Sequence, residues 1–132
     1  MLMAYNTGDT IDTTIVEKLE LEEDKLYVID FFASWCKSCK KELPLISKVH
    51  QDKVVEVVGV NVDDSASKGK DFVNKLDLPF SIYYDSDKTV ISKFDPVGVP
   101  ALYYVKNGKV LGLHIGAVKE IDKKITKEVK EL

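Results

Sequence analysis

An apolar segment that leads directly into a pair of cysteines constrains this chain more than any other feature of its sequence. The segment Leu26–Ala33 is rich in β-branched and aromatic residues and carries one acid, Asp30. A short run that is apolar on both faces is typical of a central strand covered on both sides. Trp35-Cys36-Lys37-Ser38-Cys39 follows and opens Lys37–Asp52, whose apolar spacing predicts a helix. The chain must therefore place its two cysteines at a strand-to-helix junction.

This junction predicts that Cys36 and Cys39 cycle between a dithiol and a disulfide. Free backbone amides and the positive end of the macrodipole at a helix N-terminus stabilise a thiolate, and Lys37 adds a positive charge. Cys36 is therefore expected to be the exposed nucleophile that attacks a disulfide sulfur. Cys39, one turn later, is expected to be the shielded thiol that resolves the mixed disulfide and releases the reduced partner.

Asp30 is the second informative residue, because it is a carboxylate inside a strand that is otherwise apolar. Burial raises the pKa of a carboxyl group. Such a group below a dithiol can take the proton of Cys39 directly or through a water, which makes Asp30 a candidate catalytic residue. The alternative is a carboxylate that reaches the sheet edge and is merely solvated.

The remaining hydrophobic periodicity predicts an α/β fold with a central mixed sheet flanked by helices. Asn107-Gly108 lies between two apolar runs and indicates a hairpin. Pro44 is expected to kink the first long helix. The segment before Leu26 is compatible with a short strand or a helical turn. The other predicted strands are Val54–Val62, Phe80–Tyr84, Ala101–Lys106 and Lys109–Ile115, and the other predicted helices are Lys70–Leu76, Lys88–Phe94 and Lys119–Glu131.

Composition excludes several classes of protein. The length of 132 residues indicates one domain over residues 1–132, and the net charge of −3 argues against a nucleic-acid partner. A zinc site would need further Cys or His ligands, and only His50 and His114 remain, on different elements, so no metal is expected. A redox-sensitive or metal-binding module without enzymatic activity is kept as an alternative.

The apolar runs and the N-terminal stretch leave the cellular location of the protein open. No apolar run approaches the ~18 residues of a membrane span. The N-terminal stretch MLMAYNTGD lacks the basic start and apolar length of a signal peptide. The protein is therefore expected either to be cytoplasmic or to have lost a signal or anchor.

Two segments resemble the active site of thioredoxin-fold oxidoreductases. DFFASWCKSCKKELP is similar to the family's redox segment, and GVPALYYVKNGKVLGLHIGA is similar to the stretch that carries its cis-proline and hairpin. The resemblance implies that Val99-Pro100 is a cis peptide facing the dithiol. It also implies that the Val99 backbone holds the incoming peptide, and that Trp35 shapes the surface beside Cys36.

The long spacing from Cys39 to Pro100 resembles the TlpA/ResA-type branch, whose members are bacterial extracytoplasmic reductants. An insertion of a helix and a short strand, at about residues 65–94, would account for the extra length. The acidic residue of that branch near the dithiol corresponds here to Asp64. Gly59 stands where thioredoxin has the lysine that pairs with the buried acid, and Lys37-Ser38 matches neither the thioredoxin nor the ResA dipeptide.

This resemblance implies a reductant of protein disulfides, which is expected to be a monomer and to need no separate cofactor. Its electron donor would be a membrane thiol transporter or a thioredoxin reductase, and its location the periplasm or extracytoplasmic face. A general cytosolic thioredoxin is the close alternative. Peroxide reduction on the same fold would usually present an isolated cysteine instead of this pair.

Overall fold

A five-stranded mixed sheet forms the centre of the computed structural model, which describes residues 4–132. Its strands are β1 (Leu26–Phe32), β2 (Glu56–Asn61), β3 (Ser81–Tyr84), β4 (Ala101–Lys106) and β5 (Lys109–Ile115). Their order is β3-β2-β1-β4-β5. The first three strands are parallel, whereas β4 runs antiparallel to β1 and β5 antiparallel to β4. The predicted mixed sheet with a terminal hairpin is confirmed.

The helices lie close to the positions that the periodicity predicts. They are α1 (Thr13–Lys18), α2 (Lys37–Gln51), α3 (Ala66–Leu76), α4 (Thr89–Phe94) and α5 (Ile121–Val129). Helix α2 continues through Pro44 as one element. The segment before β1, which the sequence left open, forms the short helix α1. Within residues 4–132, none of these helices is both long and apolar enough to cross a membrane.

Helix α3 begins at Ala66, four residues before the predicted start at Lys70. The cause is an N-cap: the Ser65 hydroxyl accepts a hydrogen bond from the Lys68 amide at 3.4 Å. A polar sequence that looked like a loop therefore forms the first turn of a helix. Its glycine, Gly69, packs directly against the side chain of Asn61 at the end of β2.

Strand β1 is buried on both faces, as the sequence predicts. On one face Phe31 packs against Phe94 of α4 and Tyr103 of β4, with ring centroids 5.0 and 5.7 Å apart. On the other face Phe32 packs against Phe72 of α3 at 6.0 Å. Two consecutive aromatic residues, which point to opposite faces, thus fix β1 between two layers of helices, and the loop that follows β1 starts from a rigidly packed strand.

The segment inserted between β2 and β4 contains α3, β3 and α4. Strand β3 adds to the sheet edge beside β2. The buried carboxylate of Asp85 then accepts hydrogen bonds from the amides of Val90 and Ile91, at 3.0 and 2.8 Å. Those bonds satisfy amides in the first turn of α4 that have no partner within the helix. The predicted insertion is therefore present and includes α4.

The prediction for the N-terminal stretch falls partly on residues 1–3, which lie outside the described residues. After them, Ile11, Ile15 and Leu19 are buried. The Ile11 amide also donates a hydrogen bond to the Gly108 carbonyl at 2.8 Å. The N-terminal segment therefore packs onto the hairpin end of the sheet, opposite the end at which α2 begins.

Candidate active site

The two cysteines form a disulfide at the N-terminus of α2, with their Cα atoms 5.3 Å apart. Cys36 is the N-cap residue of the helix, and its sulfur accepts a hydrogen bond from the Cys39 amide at 3.1 Å. Cys36 is 7% exposed and Cys39 1% exposed. In the reduced protein the same amide and the helix terminus would stabilise a Cys36 thiolate. Cys36 is therefore the more exposed of the two residues, although both are buried.

A buried carboxylate, Asp63, fixes the loop between β1 and Cys36. It accepts hydrogen bonds from the amide of Ser34 at 3.0 Å, from the Ser34 hydroxyl at 2.7 Å and from the side-chain amide of Asn61 at 2.8 Å. Burial alone would raise the pKa of Asp63, but these hydrogen bonds and the charge of Lys88 outweigh it, so the pKa is lowered. Asp63 is thus an ionised anchor for the residues just before the dithiol.

Asp64, the acid that the resemblance indicated, lies apart from this anchor. Its side chain is 98% exposed and pairs with Lys88 at 3.0 Å. The structure therefore brings Asp63, and not Asp64, to the active-site loop. The reason is strand register: Phe32 pairs with Asn61, so residue 63 falls beside residue 34.

We predict that Asp63→Asn destabilises the protein by about 1–3 kcal/mol, because its amide nitrogen would face groups that are themselves donors. Chemical denaturation of the oxidised protein measures the loss. Asp64→Asn is the matched control, since it changes the same chemistry one residue away on an exposed side chain, and it should shift stability by less than about 0.5 kcal/mol. Equal stability of the two variants would contradict the anchoring role.

Val99 and Pro100 face the dithiol across the loop that precedes β4. The Val99–Pro100 peptide bond is cis, and the Cys36 sulfur lies 3.6 Å from the Val99 carbonyl oxygen. Trp35 is 69% exposed beside Cys36. Val97, which the sequence reasoning did not single out, is also fully exposed on this loop. The loop before Cys36 and the loop before β4 therefore each expose an apolar side chain, Trp35 and Val97.

Asp30 in β1 and Glu42 in α2 are two buried carboxyl groups of this part of the molecule. Asp30 is 1% exposed, and its Oδ1 atom has no hydrogen-bond partner among residues 4–132. Burial raises the pKa of Asp30 well above its usual value, and the nearby charge of Glu42 raises it further. Asp30 pairs in register with Gly59, so the neighbouring strand offers it no cationic partner. The alternative of a solvated carboxylate at the sheet edge is therefore wrong.

Glu42 is the residue of this site that sequence reasoning missed. It lies three positions after Cys39 on α2, which puts both side chains on one face of the helix. Burial raises the pKa of Glu42. Two smaller effects lower it without reversing the shift: the Val118 amide donates a hydrogen bond to Oε2 at 3.0 Å, and His114 contributes a nearby charge. Its spacing from Cys39 was the available signal, because a position three after a buried thiol points inward.

The two histidines take part in contacts away from the sulfurs. His50 Nδ1 accepts a hydrogen bond from the Val57 amide at 3.2 Å. His114 Nε2 lies 2.7 Å from Glu128 Oε1, an oxygen that also accepts from the Tyr104 hydroxyl at 2.9 Å. Within the described part of the chain, no three His, Cys, Asp or Glu side chains are grouped so that they could hold a metal ion.

Comparison with curated proteins finds relatives that carry one name. Thiol-disulfide oxidoreductase ResA of Bacillus thuringiensis subsp. konkukian (strain 97-27) is 29% identical over 101 residues, covering 72% of this chain and 58% of the relative. Thiol-disulfide oxidoreductase ResA of Bacillus subtilis (strain 168) is 28% identical over 116 residues, covering 83% of this chain and 65% of the relative. The chain thus spans about three-fifths of the length of these relatives.

Comparison with solved structures finds proteins of the same kind. MTB dsbF, determined in its mixed oxidized and reduced forms, is 28% identical, with a TM-score of 0.73 over 83% of this chain and 81% of that one. StoA from Bacillus subtilis, at 23% identity, shows the same fold with a TM-score of 0.71 over 82% of this chain and 86% of its own. The resemblance to the thioredoxin fold and its TlpA/ResA-like proteins is confirmed. Since the model of the AhpC/TSA family matches residues 5–121 as well, this chain belongs to the AhpC/TSA family of thioredoxin-fold proteins.

Proposed function

We propose that this protein is a thiol–disulfide oxidoreductase that reduces protein disulfides through Cys36 and Cys39. The observation that carries the proposal is the disulfide at the N-terminus of α2, whose more accessible sulfur is held by the Cys39 amide and faces the Val99 carbonyl. The names of the ResA relatives agree with this activity. The resemblance to the TlpA/ResA branch favours the direction of reduction.

The reaction takes two exchange steps. The Cys36 thiolate attacks one sulfur of the partner's disulfide, so that a mixed disulfide forms and the partner's other sulfur leaves as a thiolate. The Cys39 thiolate then attacks the Cys36 sulfur and releases the partner's second thiolate. The partner gains two electrons and, after protonation, two thiols, while this protein is left with the Cys36–Cys39 disulfide.

Asp30 is the proposed proton acceptor for Cys39. Its raised pKa makes its carboxylate a stronger base than that of an exposed aspartate, and therefore a better acceptor for the proton of a buried thiol. The charge of Glu42 adds to the larger effect of burial on the pKa of Asp30, and Glu42 lies on the helix face of Cys39, so we assign it a positioning role. The proton-handling role that the resemblance indicated for Asp64 gains no support from an exposed side chain paired with Lys88.

Trp35, Val99 and Pro100 form the proposed docking surface for the disulfide-bearing segment. The exposure of Trp35 leaves its ring free to contact a partner. The Val99 backbone, next to the Cys36 sulfur, is positioned to pair with an extended peptide. Such a surface holds a partner sulfur in line with Cys36 and contacts the partner mainly through its backbone, so it tolerates many sequences.

The reaction needs an electron donor and no separate cofactor, because the two sulfurs carry the electrons. A membrane thiol transporter or a thioredoxin reductase would regenerate the dithiol. We place the protein at an extracytoplasmic face, acting as a monomer, on the strength of its resemblance to the TlpA/ResA branch. Cytoplasmic action with a reductase linked to NADPH is the alternative, and a coupled assay with each donor distinguishes the two.

Catalysed reduction of a protein disulfide by dithiothreitol tests the proposal directly. We expect the purified protein, at catalytic concentration, to accelerate reduction of the disulfides of insulin, followed by the turbidity of its precipitating B chain. The same preparation should carry less than stoichiometric zinc by elemental analysis. No acceleration, together with retained metal, would favour the non-enzymatic binding module.

A further inference from the structure

A groove between α2 and α3 opens beside the active-site loop. It has a volume of about 520 Å³ and its lining includes Ser34 of that loop. Phe72, a buried residue of α3, forms part of its apolar wall. The rest of the lining consists of Leu76, one acid, Asp71, and three lysines, Lys40, Lys68 and Lys75. The groove is therefore cationic in a chain whose net charge is −3.

The charges of these three lysines are not used inside the protein. Within residues 4–132 the salt bridges engage other lysines: Lys25, Lys48, Lys88, Lys93 and Lys123. Lys40, Lys68 and Lys75 are exposed, and none of the described ion pairs involves them. Three free ammonium groups that converge from two helices repel one another, so an anionic group placed among them would be attracted.

The groove lies where a docked disulfide protein would extend. Ser34 precedes Cys36 by two residues, and Lys40 directly follows Cys39. Helix α3, which contributes two of the lysines, belongs to the segment inserted between β2 and β4. A polypeptide held at Val99 with its sulfur on Cys36 would therefore have neighbouring residues within reach of the inserted helix.

We propose that this groove binds an acidic segment of the protein whose disulfide is reduced, an inference that rests on the proposed function. Glutamate or aspartate side chains of the partner would pair with Lys40, Lys68 and Lys75, while apolar parts of the segment contact Phe72. Long-range attraction between opposite charges raises association rates and weakens with salt. The groove thus selects among partners by the charge that flanks their cysteines.

Three cyclic peptide disulfides with one common loop, flanked by glutamates, glutamines or lysines, test this inference. We expect the protein to reduce the glutamate peptide with a kcat/KM about tenfold above that of the glutamine peptide at low ionic strength. The lysine peptide should be slowest, and the differences should shrink as salt is added. The triple variant Lys40→Gln, Lys68→Gln, Lys75→Gln should lose the preference.

A second triple variant supplies the matched control, because Lys106→Gln, Lys109→Gln and Lys130→Gln remove the same total charge at the opposite end of the molecule. This control should keep the preference for glutamate. The wild-type protein and both triple variants should reduce the uncharged reagent 2-hydroxyethyl disulfide at equal rates.

Equal rates for the three peptides, or an equal loss of preference in both triple variants, would overturn the proposal that the groove binds an acidic segment. The same proposal would be overturned if the groove variant lost as much rate with the uncharged reagent as with the glutamate peptide. A wild-type protein that reduces none of these disulfides would instead overturn the proposed function.

Discussion

Replacing Cys36 with serine is expected to abolish the reduction of protein disulfides. The variant loses the sulfur that attacks, and a serine hydroxyl does not form a stable mixed disulfide. The insulin assay with dithiothreitol should then proceed at its uncatalysed rate. The fold should be retained, because Cys36 lies at the helix terminus, and a serine hydroxyl can also accept the hydrogen bond of the Cys39 amide.

Cys39→Ser is the informative companion, since it removes only the second step. Its Cys36 thiolate should still attack a partner, but nothing would release the product. A covalent adduct should accumulate on non-reducing gels and disappear on addition of dithiothreitol. A Cys36→Ser protein with full activity, or a Cys39→Ser protein that forms no adduct, would refute the assigned order of the two sulfurs.

Replacing Asp30 with asparagine is expected to slow turnover near neutral pH by about 10²-fold, the lower end of what a positioned proton acceptor contributes. Asparagine keeps the shape of the side chain but accepts no proton. In the wild-type protein kcat should rise with pH as Asp30 ionises. The variant should lack this rising limb of the pH–rate profile. Measurement of kcat across pH with one protein substrate checks this, and an unchanged profile would remove Asp30 from the mechanism.

The stability of the same variant separates a catalytic role from a structural one. Because burial raises the pKa of Asp30 in the folded protein, the folded state holds a proton that the unfolded chain has released. That contribution to stability is complete below the usual aspartate pKa and is lost as pH rises through the raised one. The free energy of unfolding of Asp30→Asn should therefore exceed that of the wild-type protein at high pH, and the difference should shrink as the pH is lowered. A variant that is slow because it is unfolded would contradict this.

Glu42→Gln extends the prediction to the second buried carboxyl. The charge of Glu42 raises the pKa of Asp30, so its removal should move the rising limb of the rate profile to lower pH without abolishing it. Glu131→Gln, which removes an equal charge from an exposed residue near the C-terminus, should leave the limb in place. A loss of rate at all pH values without a shift would indicate that Glu42 only supports the fold.

The outline of the fold followed from local patterns. Leu26–Phe32 is apolar on both faces because helices cover both sides of the sheet there, and Asn107-Gly108 specified the hairpin that follows the cis-proline loop. The start of α3 was missed by four residues, since it depends on one hydroxyl at Ser65, a cap that its polar surroundings obscured, whereas its end at Leu76 was predicted correctly. Elements made by many residues are readable from periodicity, whereas an end made by one hydrogen bond is not.

The sequence by itself predicted which atoms carry the proposed chemistry. Two cysteines at helical spacing after a buried strand can meet in only one local geometry, and that geometry gives one sulfur more access than the other. The tertiary structure decided which groups surround those sulfurs: Asp63 in place of Asp64 at the loop, Glu42 close to Asp30, and three lysines around one groove. These neighbours come from strand register and helix packing, which join residues distant in the chain. Spacing along the chain gives a signal for Glu42, three residues after Cys39, but it does not fix strand register or the packing between helices. The contacts themselves are therefore seen only in the folded molecule.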